Sequence, residues 1–136
     1  MLVKYKVVGA VSNYALLFDE SAGDANEKFN PSFRDLVQKV NGYGAASELR
    51  LPLANTAGTL PLRWSSNYST PAAGAAAIAT LRATFKGITV HLQVTVGATI
   101  LYFPNAVLTG SSHDQHGCEV AHQFTFETSD VTTTAP

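Results

Sequence analysis

Three of the four histidines of this 136-residue chain, and its only cysteine, crowd into "SSHDQHGCEVAHQF", residues 111–124. His113, His116, Cys118 and His122 carry the nitrogen and sulfur donors that hold zinc, copper or iron. A cysteine near a histidine is also the outline of a thiolate nucleophile. Metal ligands recur at paired spacings such as C-x2-C because a turn must fold two donors onto one ion. The order here is H-x2-H-x-C-x3-H, which matches no standard finger spacing, and "HDQH" has the wrong gap for the H-x-H of metal-binding barrels.

Strand alternation from Gly117 onward gives a plainer reading. Cys118, Val120, His122, Phe124 and Phe126 fall on one face, and Glu119, Ala121, Gln123, Thr125 and Glu127 on the other. The first face is apolar. Cys118 is therefore expected as a small core residue, His122 as a buried imidazole with a hydrogen-bond partner, and His113 and His116 as members of a preceding loop. A thiol buried in this way is inert, since a nucleophilic cysteine needs access and a positive neighbourhood. The chain also lacks a Walker loop and the patterns G-x-G-x-x-G, G-x-S-x-G and H-E-x-x-H. The expectation is no catalytic residue, no metal, no cofactor and no enzyme activity. A small metal- or ligand-binding β-barrel using His113, His116, Cys118 and His122 is the alternative these residues leave open. His91, in "TVHLQV", is a strand residue with no partner visible in sequence.

The surrounding elements are strands with one helix among them. "LVKYKVV" alternates and reads as a half-buried strand, and "NYALLF" is a second apolar run. "DESAGDANEKFNPS" is a long acidic loop whose carboxylates do not follow the order of a calcium hand. "SFRDLVQKVNGYGA" is ambiguous: Phe33, Leu36, Val37 and Val40 fit helical spacing, and a strand turned by "NGYG" is the rival. "ELRLPL" and "TLPLRW" both alternate, with "ANTAG" between them as a hairpin loop. Their prolines imply an edge or a bulge, because proline cannot donate to a ladder. "TPAAGAAAIATLRATFKG" is the clearest helix, over about residues 71–86. Thr70 suits the N-cap, Pro71 the first turn, and Gly87 the end. Ile78, Leu81 and Phe85 form its apolar stripe. "ITVHLQVTV", "TILYFPNAVLTG" and "CEVAHQFTFET" are further strands, and "SDVTTTAP" is a polar tail. The sum is a mainly β chain: a small antiparallel β-barrel or sandwich with one packed helix, a single domain over 1–128, and a tail over 129–136.

Composition limits the function classes. Charged residues are 14% of the chain and hydrophobic ones 46%, with a net charge of -1, against about 25% charged in ordinary soluble domains. Such a surface is easily covered by a protein partner, because few ions need desolvating. It has no basic patch for phosphates, so no specific nucleic-acid binding is expected. No apolar run reaches the length of a signal peptide or a membrane span. A lone cysteine permits no internal disulfide.

The second half has a recognisable plan: the capped helix "PAAGAAAIATLRATFKG", then "ITVHLQVT", then "ATILYFPNAVLTGSSHDQHGCEVAHQFTFET" with its aromatic-Pro-Asn-Ala-x-Leu strand and closing H-x-F-x-F strand. It resembles structural proteins of phage tails, namely the tail tube and the distal-tail or baseplate ring proteins that share its fold. Head-tail connectors and the tubes of contractile injection systems are built on a similar plan. The resemblance implies a β-barrel or sandwich flanked by one helix, and homo-oligomeric rings, stacked in a tube. It also implies other tail or baseplate proteins as partners, and a place in the virion after assembly in the bacterial host cytoplasm. On this view the segment around Leu36 is a strand, and the work is done by surfaces and loops.

Overall fold

The computed structural model describes the backbone at residues 1–20, 29–41 and 48–136, and side chains at those positions other than 35–57. In chain order the elements are β1 (Leu2–Val7), β2 (Ala15–Asp19), β3 (Ser32–Asn41), β4 (Glu48–Asn67), α1 (Pro71–Phe85), β5 (Thr89–Val96), β6 (Thr99–His116) and β7 (Glu119–Thr128). The strands form one seven-stranded sheet in the order β2-β1-β5-β6-β7-β4-β3, antiparallel throughout. The chain is thus mainly β with one helix, as expected, but the sheet does not close into a barrel through backbone pairing.

The helix forms where its local signals put it. Thr70 is extended, and its hydroxyl accepts the Ala73 N–H at 3.1 Å. Pro71 opens the first turn, and Gly87, at φ 70°, follows the last. The helix lies across β6 and β7. Phe85 is fully buried and meets Tyr5, Phe124 and Phe126 at ring-centroid distances of 4.8, 5.6 and 5.6 Å. Gly74 is a point of close approach, since a Cβ there would meet Gln115 Nε2 at 3.0 Å and Val120 Cγ2 at 3.1 Å.

The ambiguous segment near Leu36 is strand β3. The "NGYG" turn and most of the acidic loop lie outside the described residues. The expected hairpin at "ANTAG" does not exist: residues 48–67 are one strand. Over 48–59 β4 pairs with β3, and over 58–67 it pairs with β7. A segment with a partner waiting first on one edge and then on the other stays extended, whatever its composition. The proline reading holds in part. Pro52 lies in the half paired only with β3, beside a register irregularity, and Pro61 in the half paired only with β7. The Ser65 N–H points away from β7 to Glu20 Oε1 at 3.1 Å. By strand alternation Pro61 turns its hydrogen-less nitrogen to that same unpaired edge.

Strand β6 is also longer than expected and shares itself in the same way, with β5 over 99–107 and with β7 over 107–116. Asn105 has φ 52° at an irregularity in the pairing with β5. This extra step returns both Phe103 and Ala106 to the core. His91 Nδ1 accepts the Asn105 N–H at 3.3 Å, so the orphan histidine of β5 holds the bulge.

The sheet curls until β2, at one end, meets the half of β4 that β3 does not cover. Phe18 on β2 stacks on Trp64 on β4 at 4.6 Å with 9° between the rings. Glu20, paired through its backbone with Met1, reaches the β4 edge with its carboxylate. Inside lie Val3, Leu60, Leu62, Val90, Leu92, Val94, Phe103, Phe124 and Phe126, all buried. The tail folds back on this body. Thr132 and Tyr102 exchange two backbone hydrogen bonds of 2.8 Å, and Val131 packs on the core.

Gly58 sits where β4 changes partners. A Cβ there would fall 2.5 Å from Phe33 Cε1 and 3.1 Å from Thr128 Cγ2. Gly58→Ala is expected to destabilise the fold by about 1–3 kcal/mol through overpacking, measured as a lower denaturant midpoint with an unchanged slope.

Candidate functional site

The cluster in residues 111–124 is split by the fold. Strand β6 runs through both His113 and His116, so neither is in a loop as expected. The polar composition there has a local cause: Ser111 and Gln115 face α1 through polar bonds. Arg82 Nη1 donates to Ser111 Oγ at 2.8 Å, and Gln115 Nε2 donates to the Pro71 carbonyl at 2.7 Å. Cys118 is not a core residue either. It is half-buried, and it forms with Gly117 the two-residue turn between His116 and Glu119. Gly117 has φ 61°, which a leading glycine adopts without strain in such a loop. The alternation counted back from β7 ends at Glu119. The Cys118 carbonyl accepts the Tyr68 N–H at 2.8 Å and ties the turn to the segment before α1.

The four sequence candidates do not converge. Cys118 stands four positions from His122, about 13 Å along an extended chain. His116 is exposed and faces Asp114 at 3.3 Å. Among the described residues no group of three or more His, Cys, Asp and Glu side chains is placed to hold a metal ion.

What the fold does bring together is a pair of imidazoles. The register sets Trp64, His122 and His113 side by side across β4, β7 and β6. His122 is buried, at 2% exposure. Its Nδ1 lies 2.7 Å from His113 Nδ1 and its Nε2 lies 3.0 Å from the Tyr68 hydroxyl. The Trp64 ring is 5.1 Å from the His122 ring, and the Phe124 ring 5.6 Å from that of His113. Burial, and then the neighbouring His113, hold His122 down to about 4. Burial and then Arg82 lower His113 as well. Both rings are thereby favoured neutral at pH 7. A neutral imidazole has one donor and one acceptor nitrogen, so a single hydrogen sits between the two Nδ1 atoms. His113 Nε2 is buried and without a partner among the described residues. A bare lone pair is easier to leave there than an unpaired N–H. The arrangement then runs from His113 Nδ1–H to His122 Nδ1, and from His122 Nε2–H to the Tyr68 oxygen. An open cleft of about 540 Å³ adjoins the pair and is lined also by Glu20, Arg63, Asp114 and Gln123. Tyr68 and Trp64 were not singled out by sequence reasoning, because only the strand register places them here.

A second feature bears on assembly. Strand β2 pairs only with β1, and β3 only with β4, so each leaves one backbone edge without a partner strand in the sheet. Val7, Val8, Val11 and Leu16 are exposed apolar residues on and beside the β1–β2 hairpin, Leu16 at 59%.

No family model matches the chain, and no curated protein does. Solved structures do. A chain from the tail of an empty gene transfer agent particle, obtained by helical refinement with C6 symmetry, is similar at a TM-score of 0.57 and 15% identity, over 98% of this chain and 95% of that one. A chain from the virion of a native gene transfer agent particle is similar at a TM-score of 0.58 and 13% identity, over 98% and 95%. At such identities the likeness is one of fold, and it extends over nearly the whole of both chains. The mainly β fold with one helix that the tail-protein resemblance implies is found, without closure of the sheet into a barrel.

Tyr68→Phe removes the one hydroxyl that meets His122 Nε2 and leaves a buried nitrogen unpaired. It is expected to cost about 1–2 kcal/mol, measured by urea denaturation at pH 7.5.

Proposed function

We propose that this chain is a structural subunit of a phage-type tail, acting by joining copies of itself into rings rather than by catalysis. The observation that carries the reading is the co-extensive fold shared with a chain of a helical, sixfold tail. Helical sixfold symmetry in that relative supports stacked hexameric rings, and so a tail-tube position over a single distal-tail or baseplate ring. Subunits of the neighbouring tail parts would be its other partners, in a virion assembled in the bacterial host cytoplasm.

The physical requirements of a ring fit the subunit. Copies joined head to tail by rotation need two different complementary patches. The unpaired edge of β3 and the exposed apolar face of the β1–β2 hairpin lie at opposite ends of the sheet order, and an exposed edge offers N–H and C=O groups to another chain. The apolar residues at the β1–β2 hairpin would be covered in such a contact. The low charge of the chain lowers the desolvation cost of covering it.

Light scattering and negative-stain imaging of the purified chain across a concentration series test this. Sixfold rings, and stacks of them at higher concentration, are expected. Leu16→Asp should raise the concentration needed for assembly tenfold or more with the melting temperature unchanged. A chain that stays monomeric up to its solubility limit, with no rings in the images, would refute the reading.

A further inference from the structure

We infer that the His113–His122 pair is a proton-operated latch that fastens α1 and the segment leading into it onto the β6–β7 hairpin, and that acid opens it. The 2.7 Å gap between the two Nδ1 atoms admits one hydrogen and no more. A first added proton must go to the bare His113 Nε2, where it makes a buried N–H with no partner among the described residues, in the field of Arg82. A second would set two N–H groups head to head, two like charges in an apolar surround, and the rings must part. Both rings are hemmed in by aromatic groups, His122 by Trp64 at 5.1 Å and His113 by Phe124 at 5.6 Å.

The part free to yield is the cover. Tyr68 sits on His122 Nε2, two residues before the helix cap, and its backbone N–H is tied to the turn at Cys118. Arg82 of α1 contributes a positive charge toward His113 while donating to Ser111. A charged pair would therefore be repelled by the helix it now holds. The other charged groups near the pair line the adjoining cleft. Arg63 of β4 lines the adjoining cleft and is positive too. Of the two carboxylates there, Glu20 accepts from the Ser65 N–H and Asp114 faces His116.

The direction with pH follows from linkage. A histidine in an opened or unfolded chain takes up its proton near pH 6.5, whereas latched His122 does so only near 4. Between these values the open form binds protons that the latched form refuses. Stability therefore falls as pH drops from about 6.5 to about 4, and His122 contributes no further loss below. The lowered His113 acts in the same sense.

Hydrogen–deuterium exchange of the intact chain at pH 7.5 and 4.5, corrected for intrinsic rates, tests the latch. At pH 4.5 the amides of residues 68–85 should exchange at least tenfold faster, while those of β5 keep their protection. His116→Gln should leave this response unchanged, and the double variant His113→Gln/His122→Phe should abolish it. Nitrogen-15 imidazole spectra of the unmodified chain provide a test that requires no variant to fold: the two rings should titrate as a coupled pair, in two separated steps. Equal protection of α1 at the two pH values, a uniform loss along the whole chain, or two rings titrating independently near 6.5 would each overturn the inference.

Discussion

Strands β4 and β6 are each long enough to serve two neighbours in turn, and the sheet is held together by that sharing. β4 passes from β3 to β7 at Gly58 and Thr59, and β6 passes from β5 to β7 at Val107. Each transfer frees one edge on each strand half. One free half-edge of β4 receives the Glu20 carboxylate, and one of β6 receives Thr132 from the tail. Buried or partly buried backbone groups need such partners, since an unpaired one costs as much as a lost hydrogen bond. The special residues of the chain collect at these junctions. Gly58 makes room for the Phe33 ring, Asn105 takes a positive φ, and His91 caps the bulge that results.

The same sharing creates the histidine pair. β7 lies between β6 and β4, and its inward face carries Val120, His122, Phe124 and Phe126. A polar ring in that row must find partners inside the protein. It finds one on each side of its own ring, in His113 and Tyr68. The price is an imidazole kept neutral well below its ordinary range, which couples the docking of the helix to the proton concentration.

Much of the architecture was legible from local signals. The cap at Thr70, Pro71 and the stripe ending at Phe85 specify the helix within a few residues of one another. The burial of His122 followed from two-residue alternation with Phe124 and Phe126. What was not legible depends on contacts distant in sequence. "ANTAG" looks like a loop because its residues are small, yet it is small at Gly58 to admit the Phe33 ring. "TGSSHDQHG" shows no apolar alternation because, of its inward residues, Ser111 and Gln115 meet polar groups of α1 and His113 meets His122. Cys118 was placed inside by counting alternation one residue past the strand end. That His113 opposes His122 rests on a register shift between Leu108 and Gly110, and composition does not encode such a shift.

The ring stack of Phe18 on Trp64 and the single carboxylate bond to Ser65 stand where a closed barrel would have a ladder. In a closed barrel, strand number and stagger fix the girth. A seam of side chains imposes no such quantum. Its two lips can shift without unzipping any backbone pair, so in the proposed ring each copy would adjust its curvature individually.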